Sequence, residues 1–379
     1  MPTLLARTAA LCLLITSLVT AREELQLTLP PRWFGVPGVP VSLYFDNVEL
    51  TEKPEAYRFE VACDIGHSEA RHWTTTPAIT DIGDHTMVVT VKDAKGTLVA
   101  DGKTVLRIAP ADAGAGRELK LLVVGDSLTH ASLYPNEIAR LLSQPGNPKA
   151  TLLGTHRPAA AAPRVVHEGY GGWTWERFLT KWQPNPKSQE LKYRSSPFLF
   201  AGAGGKGTLD LPRYFREGCQ GQTPDVVTFL LGINDCFGAK ADDAKAMDKH
   251  IDTTLDQAEK LISVMRAACP QAVLAVGLTT PPNARQAAFT ANYGDKYTRW
   301  GWKRIQHRLV QRMLARLGER TQDRIFLVPT ELNLDPVDGY PENNGVHPNP
   351  VGYAQIGTSF YAWLKAWLAT TAEGGHTAP

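Results

Sequence analysis

Leu119-Lys120-Leu121-Leu122-Val123-Val124-Gly125-Asp126-Ser127-Leu128-Thr129-His130 is the stretch whose reading decides the fold. Leu119–Val124 is the apolar run expected of a parallel strand buried on both faces. A glycine and a serine follow it before helical patterning begins near Tyr134. Working downstream, the strand-then-helix rhythm repeats. Short apolar strands are predicted at Thr151–Leu153, Val226–Leu231, Ala272–Leu278 and Ile325–Val328. Helices are predicted near Tyr134–Leu142, Trp173–Trp182, Asp242–Ala268, Tyr297–Leu317 and Val351–Leu368. This alternation predicts an open α/β three-layer sandwich with right-handed crossovers. Residues 183–224 are rich in Pro and Gly and show no period, so they read as an insertion over one end of the sheet.

Upstream the pattern differs. Residues 22–112 read as β structure without helices, with runs at Val41–Phe45, Tyr57–Ala62, His85–Val91 and Thr104–Ile108 separated by turn residues. A small Ig-like β-sandwich is expected there, followed by an Ala- and Gly-rich linker over Pro110–Gly116. The first 21 residues read as a signal peptide. Arg7 precedes an apolar stretch too short to span a membrane, and Val19-Thr20-Ala21 supplies small residues for cleavage. An exported protein, periplasmic or extracellular, is the expectation.

The composition agrees with a folded chain. Its 379 residues are 43% hydrophobic and 21% charged, with 40 basic residues against 38 acidic. No basic block suggests nucleic acid as a partner, and no integral membrane segment is expected in the mature chain. Near-neutrality suits an uncharged substrate better than a polyanion, unless a local patch reverses it. Of five cysteines, Cys12 falls in the leader. Cys219 and Cys269 precede neighbouring predicted strands and are expected to be able to meet in a disulfide.

In open α/β sheets, ligands bind beyond the carboxyl ends of the strands. Four polar sets fall there: Gly125-Asp126-Ser127-Leu128, His167-Glu168-Gly169-Tyr170-Gly171-Gly172, Gly232-Ile233-Asn234-Asp235 and Asn344-Gly345-Val346-His347-Pro348. A serine between a strand end and a helix start sits among outward-pointing N–H groups. A histidine such as His347 is a candidate base that takes its proton. The backbone N–H groups of Ser127 and Gly169 and the side-chain amide of Asn234 would supply donors to an anionic intermediate.

These blocks, in this order, resemble the SGNH/GDSL hydrolase superfamily of esterases and lipases, over about residues 118–370. The resemblance implies a flavodoxin-like domain, with Ser127 as nucleophile, His347 as base, and Ser127, Gly169 and Asn234 as oxyanion donors. Gly171 is the alternative glycine. The family usually has Asp three residues before the histidine, and this chain has Asn344. Asn344 is therefore a candidate catalytic residue, unless Asp335, Asp338 or Glu342 reaches the imidazole. The expected domains are a leader (1–21), a β-sandwich (22–112), a hydrolase domain (118–370) and a tail (371–379).

The function expected from this reading is a secreted serine esterase removing acetyl groups from an extracellular polysaccharide, with no cofactor and no metal. A lipase, lysophospholipase or thioesterase on the same machinery is the alternative among enzymes. A glycan-binding protein with a relict site is the alternative outside them. Trp173, Trp175, Trp182, Tyr193, Phe198 and Phe200 form either a stacking platform for sugars or core packing. Lys303, Arg304, His307 and Arg308 read as a solvated helix face.

Overall fold

The computed structural model describes residues 25–185, 194–318 and 320–372. The leader, Tyr193 and all but the first two residues of the expected tail lie outside them.

Five parallel strands form the central sheet. In spatial order they are Lys149–Leu153, Glu118–Gly125, Val226–Leu230, Val273–Gly277 and Ile325–Val328. Numbered along the chain this is 2-1-3-4-5, the flavodoxin-like order. The short strand Glu168–Gly169 pairs with the end of Glu118–Gly125. Val226–Leu230 and Val273–Gly277 are buried throughout, as strands covered on both faces must be. One helical layer joins Leu133–Leu142 to Pro350–Ala372. The other contains Trp175–Thr180, Leu211–Gly218, Ala244–Ala268 and Arg299–Leu317. This is a three-layer α/β/α architecture, as expected, preceded by a smaller β-rich part.

That β part has a four-stranded sheet in the order Arg32–Gly35, Leu98–Ile108, Gly83–Asp93, Tyr57–Ala62. A three-stranded sheet runs Val41–Tyr44, His72–Thr75, His67–Ser68. Between them lie Trp33, Leu43, Trp73, Met87, Val89 and Leu106, joined by Leu332 from the loop after the last parallel strand. In return, Phe34 and Val36 of the β part pack in the core around the parallel sheet.

Several expectations need correction. The β part is not free of helix, since Phe45–Val48 makes one helical turn. The 183–224 insertion contains a hairpin, Leu199–Ala201 with Gly207–Leu209, and the helix Leu211–Gly218. A helix at Gln286–Tyr293 carried too weak an apolar period to be read. Lys303 and His307 are buried, because that helix face packs on the β part. Lys303 pairs with Asp46, and His307 Nε2 lies 2.9 Å from Thr28 Oγ1. Arg308 is bound by Asp248 rather than left to solvent.

Cys63, Cys219, Cys236 and Cys269 are all free thiols. Cys219 contacts Tyr214 and the Gly154 backbone beside the Lys149–Leu153 edge. Cys269 lies ahead of Val273–Gly277, with its thiol on the Met265 carbonyl at 3.0 Å. The sheet order separates the two, so they do not form a bridge. Trp173, Trp175 and Phe198 are buried, which makes them core rather than a sugar platform, whereas Trp182 and Phe200 are half-buried. Among the described residues no helix is long and apolar enough to cross a membrane.

Candidate active site

Sheet register brings three of the four polar blocks together. Gly125 ends the central strand and pairs with Leu230 on one side and Gly169 on the other. The loops after those partners therefore flank Ser127, at the carboxyl edge where ligand sites form in open sheets. A Cβ at Gly125 would collide with Thr129 and the Leu230 carbonyl, so the tight strand-to-helix turn needs glycine here. Asp126 caps the one-turn helix Ser127–His130, its Oδ1 accepting from Leu128 N at 2.9 Å. His347 arrives from the long loop after the last strand.

Ser127 Oγ lies 2.8 Å from His347 Nε2, across 220 positions of chain. His347 Nδ1 lies 3.1 Å from Asn344 Oδ1. That oxygen also accepts the backbone N–H groups of Val346 at 3.1 Å and His347 at 2.9 Å. Backbone nitrogens only donate, so they fix which end of the Asn344 amide faces the imidazole. Nδ1 therefore carries the proton, and Nε2 presents its lone pair to the serine hydroxyl. Burial holds the His347 pKa below its ordinary 6.5. Among the described residues no carboxylate substitutes for the usual acid. Asp335 and Asp338 are both bound by Arg71, and Glu342 is exposed.

The expected donors divide. Ser127 N–H stands at a helix start, where no intrahelical acceptor exists. Gly169 is a correction: its N–H already donates to His167 Nδ1 at 3.0 Å. A side chain there would strike Thr129, so Gly169 serves close packing. Gly171 does not line the cleft, but Gly172 does, beside Ser127, Asn234 and His347. Gly172 has φ of 74°, a conformation that favours glycine, and no described residue accepts its N–H. It stands two positions before Thr174, which caps Trp175–Thr180. That spacing was a readable signal, because the turn before a helix cap leaves N–H groups free.

Asn234 lines the cleft with its Nδ2 held at 3.2 Å by Asp126 Oδ2 and at 3.1 Å by the Trp173 carbonyl. Donation to a third acceptor requires sharing one of those protons. Burial raises the Asp126 carboxyl to about 7.

The GDSL-like lipase/acylhydrolase family model matches residues 188–355, a span containing Asn234 and His347. Over these residues the chain is similar to the GDSL-like lipase/acylhydrolases. No curated protein matches the chain. Among solved structures it is similar to a Clostridium thermocellum family 3 carbohydrate esterase, at 18% identity over 68% of this chain and 100% of that one, with a TM-score of 0.41. A family 3 carbohydrate esterase from Talaromyces cellulolyticus shares 17% identity over 66% and 98%, TM-score 0.41. A Corynascus thermopiles (Myceliophthora fergusii) carbohydrate esterase family 2 enzyme with a carbohydrate binding domain shares 16% over 93% and 96%, TM-score 0.36.

The cleft is open and encloses about 650 Å³. Beyond the blocks it is lined by Thr174, Arg177, Phe237, Asn292, Tyr293, Lys296 and Tyr297. Asn292, Tyr293, Lys296 and Tyr297 could not be singled out from sequence, because the helix and loop over 286–298 carry no motif. Phe237 stacks on Trp302 with centroids 4.6 Å apart and meets Tyr297 at 4.7 Å, giving one firm aromatic wall. Cys236 is fully buried, and burial pushes its thiol far up, which disqualifies it as a nucleophile. His130 and His167 do not line the cleft. His130 Nδ1 meets His156 Nε2 at 3.0 Å, and His167 Nε2 meets Ser132 Oγ at 3.0 Å.

Proposed function

We propose that this chain hydrolyses carboxylic esters through an acyl-enzyme on Ser127, and that its substrates are acetyl groups on a polysaccharide outside the cytoplasm. The observation that carries the reading is the aligned series Ser127 Oγ, His347 imidazole, Asn344 amide oxygen. His347 Nε2 takes the serine proton as Oγ attacks the ester carbonyl. Asn344 keeps the proton on Nδ1, so the lone pair stays at Nε2. Negative charge develops on the carbonyl oxygen, where the N–H groups of Ser127 and Gly172 receive it. Asn234 joins them as the growing charge outcompetes the neutral Trp173 carbonyl for one of its protons. His347 then returns its proton to the leaving alcohol. Water, deprotonated by the same nitrogen, releases the acid.

An open cleft with Asn234, Asn292 and Thr174 among its walls favours a sugar bearing a short acyl group. A long acyl chain would need a continuous apolar channel. The expected leader, with its short apolar stretch and small cleavage residues, supports export.

The test is acetate release from a panel of acetylated polysaccharides, with 4-nitrophenyl acetate and octanoate compared alongside. Acetyl esters should be cleaved and octanoyl esters should not. Ser127→Ala should fall below roughly a thousandth of wild type, the residue expected from oxyanion stabilisation alone. Higher residual activity removes Ser127 from its role.

A further inference from the structure

The residues lining the cleft include two cations, Arg177 and Lys296, and no aspartate or glutamate. They come from separate segments, Arg177 from the helix after Gly172 and Lys296 from the loop after Gln286–Tyr293. Both are exposed. Among the described residues neither is in salt-bridge range of a carboxylate. Arg177 reaches the Gly172 carbonyl, and Lys296 Nζ stands 5.0 Å from the centre of the Tyr297 ring. Their acidic neighbours in sequence, Glu176 and Asp295, do not line the cleft.

Several arginines elsewhere are paired. Along the adjoining helix Arg299–Leu317, Arg308 is paired with Asp248, Arg312 with Asp252, and Arg316 with Asp256 and Glu259. A protein of near-zero net charge that pairs Arg308, Arg312 and Arg316 along one helix leaves Arg177 and Lys296 beside the serine without a salt bridge among the described residues. Unpaired cations beside a concave site raise the local concentration of anions and steer them inward. The aromatic wall of Tyr293 and Tyr297 offers a flat face beside Lys296, suited to a sugar ring.

We infer that the cleft is built for an anionic ester, an O-acetylated sugar carrying a carboxylate or phosphate that sits between Arg177 and Lys296 while its acetyl group meets Ser127. This rests on the esterase reading above and narrows its substrate class. It also reverses what the overall charge suggests, because the net sum averages over paired surface charges that never see the substrate.

Three substrates matched in every other respect decide it: an O-acetylated glycoside of galacturonate, its neutral carboxamide, and the corresponding O-acetylated hexose 6-phosphate. Acetate release is followed at low and at high sodium chloride. The expected result is a kcat/KM for at least one anion roughly tenfold above the carboxamide at low salt. That ratio should shrink toward one as salt screens it, and Lys296→Gln should lower it about threefold or more. Which anion is preferred identifies the group. Lys149→Gln, a remote surface control, should leave the ratio unchanged. Equal or faster cleavage of the carboxamide, or a ratio indifferent to both salt and Lys296→Gln, overturns the inference while leaving the esterase intact. Failure to cleave any of the three, together with 4-nitrophenyl acetate, overturns both.

Discussion

Arg71 of the β part grips Asp335 of the hydrolase domain through two parallel hydrogen bonds, Nη1 to Oδ1 at 2.9 Å and Nη2 to Oδ2 at 3.2 Å. Nη2 also reaches Asp338 at 2.7 Å. Asp335 in turn accepts the N–H groups of Val337 and Asp338 at 2.8 and 3.1 Å. Burial alone would raise its carboxyl pKa, but Arg71 and those N–H groups hold it below the ordinary value. Further ties fasten the same loop. Tyr44 N donates to the Leu332 carbonyl, Ser42 N to Asn333 Oδ1, and Asn47 Nδ2 to the carbonyls of Glu331 and Leu334. This loop ends in Asn344 and His347, so the β part holds the segment that delivers the imidazole.

Arg71→Ala should therefore lower kcat by about tenfold while KM stays within about twofold, since a small misplacement of a catalytic group is costly. Arg71→Lys should recover part of the loss, because an ammonium cannot form the paired bonds. Steady-state kinetics on folded protein, checked by thermal melting, measures both. A lowered melting temperature with unchanged kcat would mean that the contact only stabilises.

The amide at Asn344 leaves the imidazolium without a counter-charge, and burial already holds His347 below 6.5. The base works when neutral, so activity should rise with pH through a midpoint below 6.5. Asn344→Asp places a carboxylate against Nδ1 and favours the charged ring, so the midpoint should move upward by about one pH unit or more. A profile of kcat/KM from acid to neutral pH reads this directly. An unmoved acid limb would show that another group sets it.

Asp126 holds Asn234 Nδ2 at 3.2 Å. Asp126→Asn keeps an acceptor for Leu128 N but turns an NH₂ toward Nδ2, setting donor against donor. The Asn234 amide should rotate away from the cleft. The cost should resemble removal of one oxyanion donor, about a hundredfold in kcat, with KM little changed. Loss smaller than about threefold would place Asn234 outside the machinery.

Glu331 is buried with Oε2 lacking a partner among the described residues, and desolvation raises its carboxyl from 4.5 to about 8. The folded chain thus keeps a proton that the unfolded chain releases. Its contribution is full below pH 4.5 and is lost as pH rises toward 8. Glu331→Gln cannot ionise, so its melting temperature relative to wild type should improve from pH 5 to pH 8. A gain of about 1 kcal/mol would read as roughly 2–4 °C. A difference that is flat with pH would mean that Glu331 titrates normally.

Much was legible in the sequence because it is local. The apolar run at Leu119–Val124 could only be a strand covered on both faces, and each strand-then-helix repeat followed the same rule. Ser127, Asn234 and His347 were found because strand ends collect ligand sites, and the structure brings all three to one cleft. Gly169 was misread, since block spacing does not reveal which N–H is already taken, and His167 takes this one. Lys303 and His307 were misread because a polar helix face looks solvated until a second sheet covers it.

The sequence by itself determined the strands that build the sheet, the turn that carries Ser127 and the presence of Asn344 three positions before His347. Only the tertiary structure decided that Asn344 rather than Asp335 meets the imidazole, that Gly172 rather than Gly169 faces the cleft, and that Arg177 and Lys296 line it with no carboxylate in salt-bridge range among the described residues. The physical reason is range. Backbone propensity and burial pattern act between neighbours in the chain, whereas pairing of charges and donors depends on which distant segments the fold sets within a few ångströms.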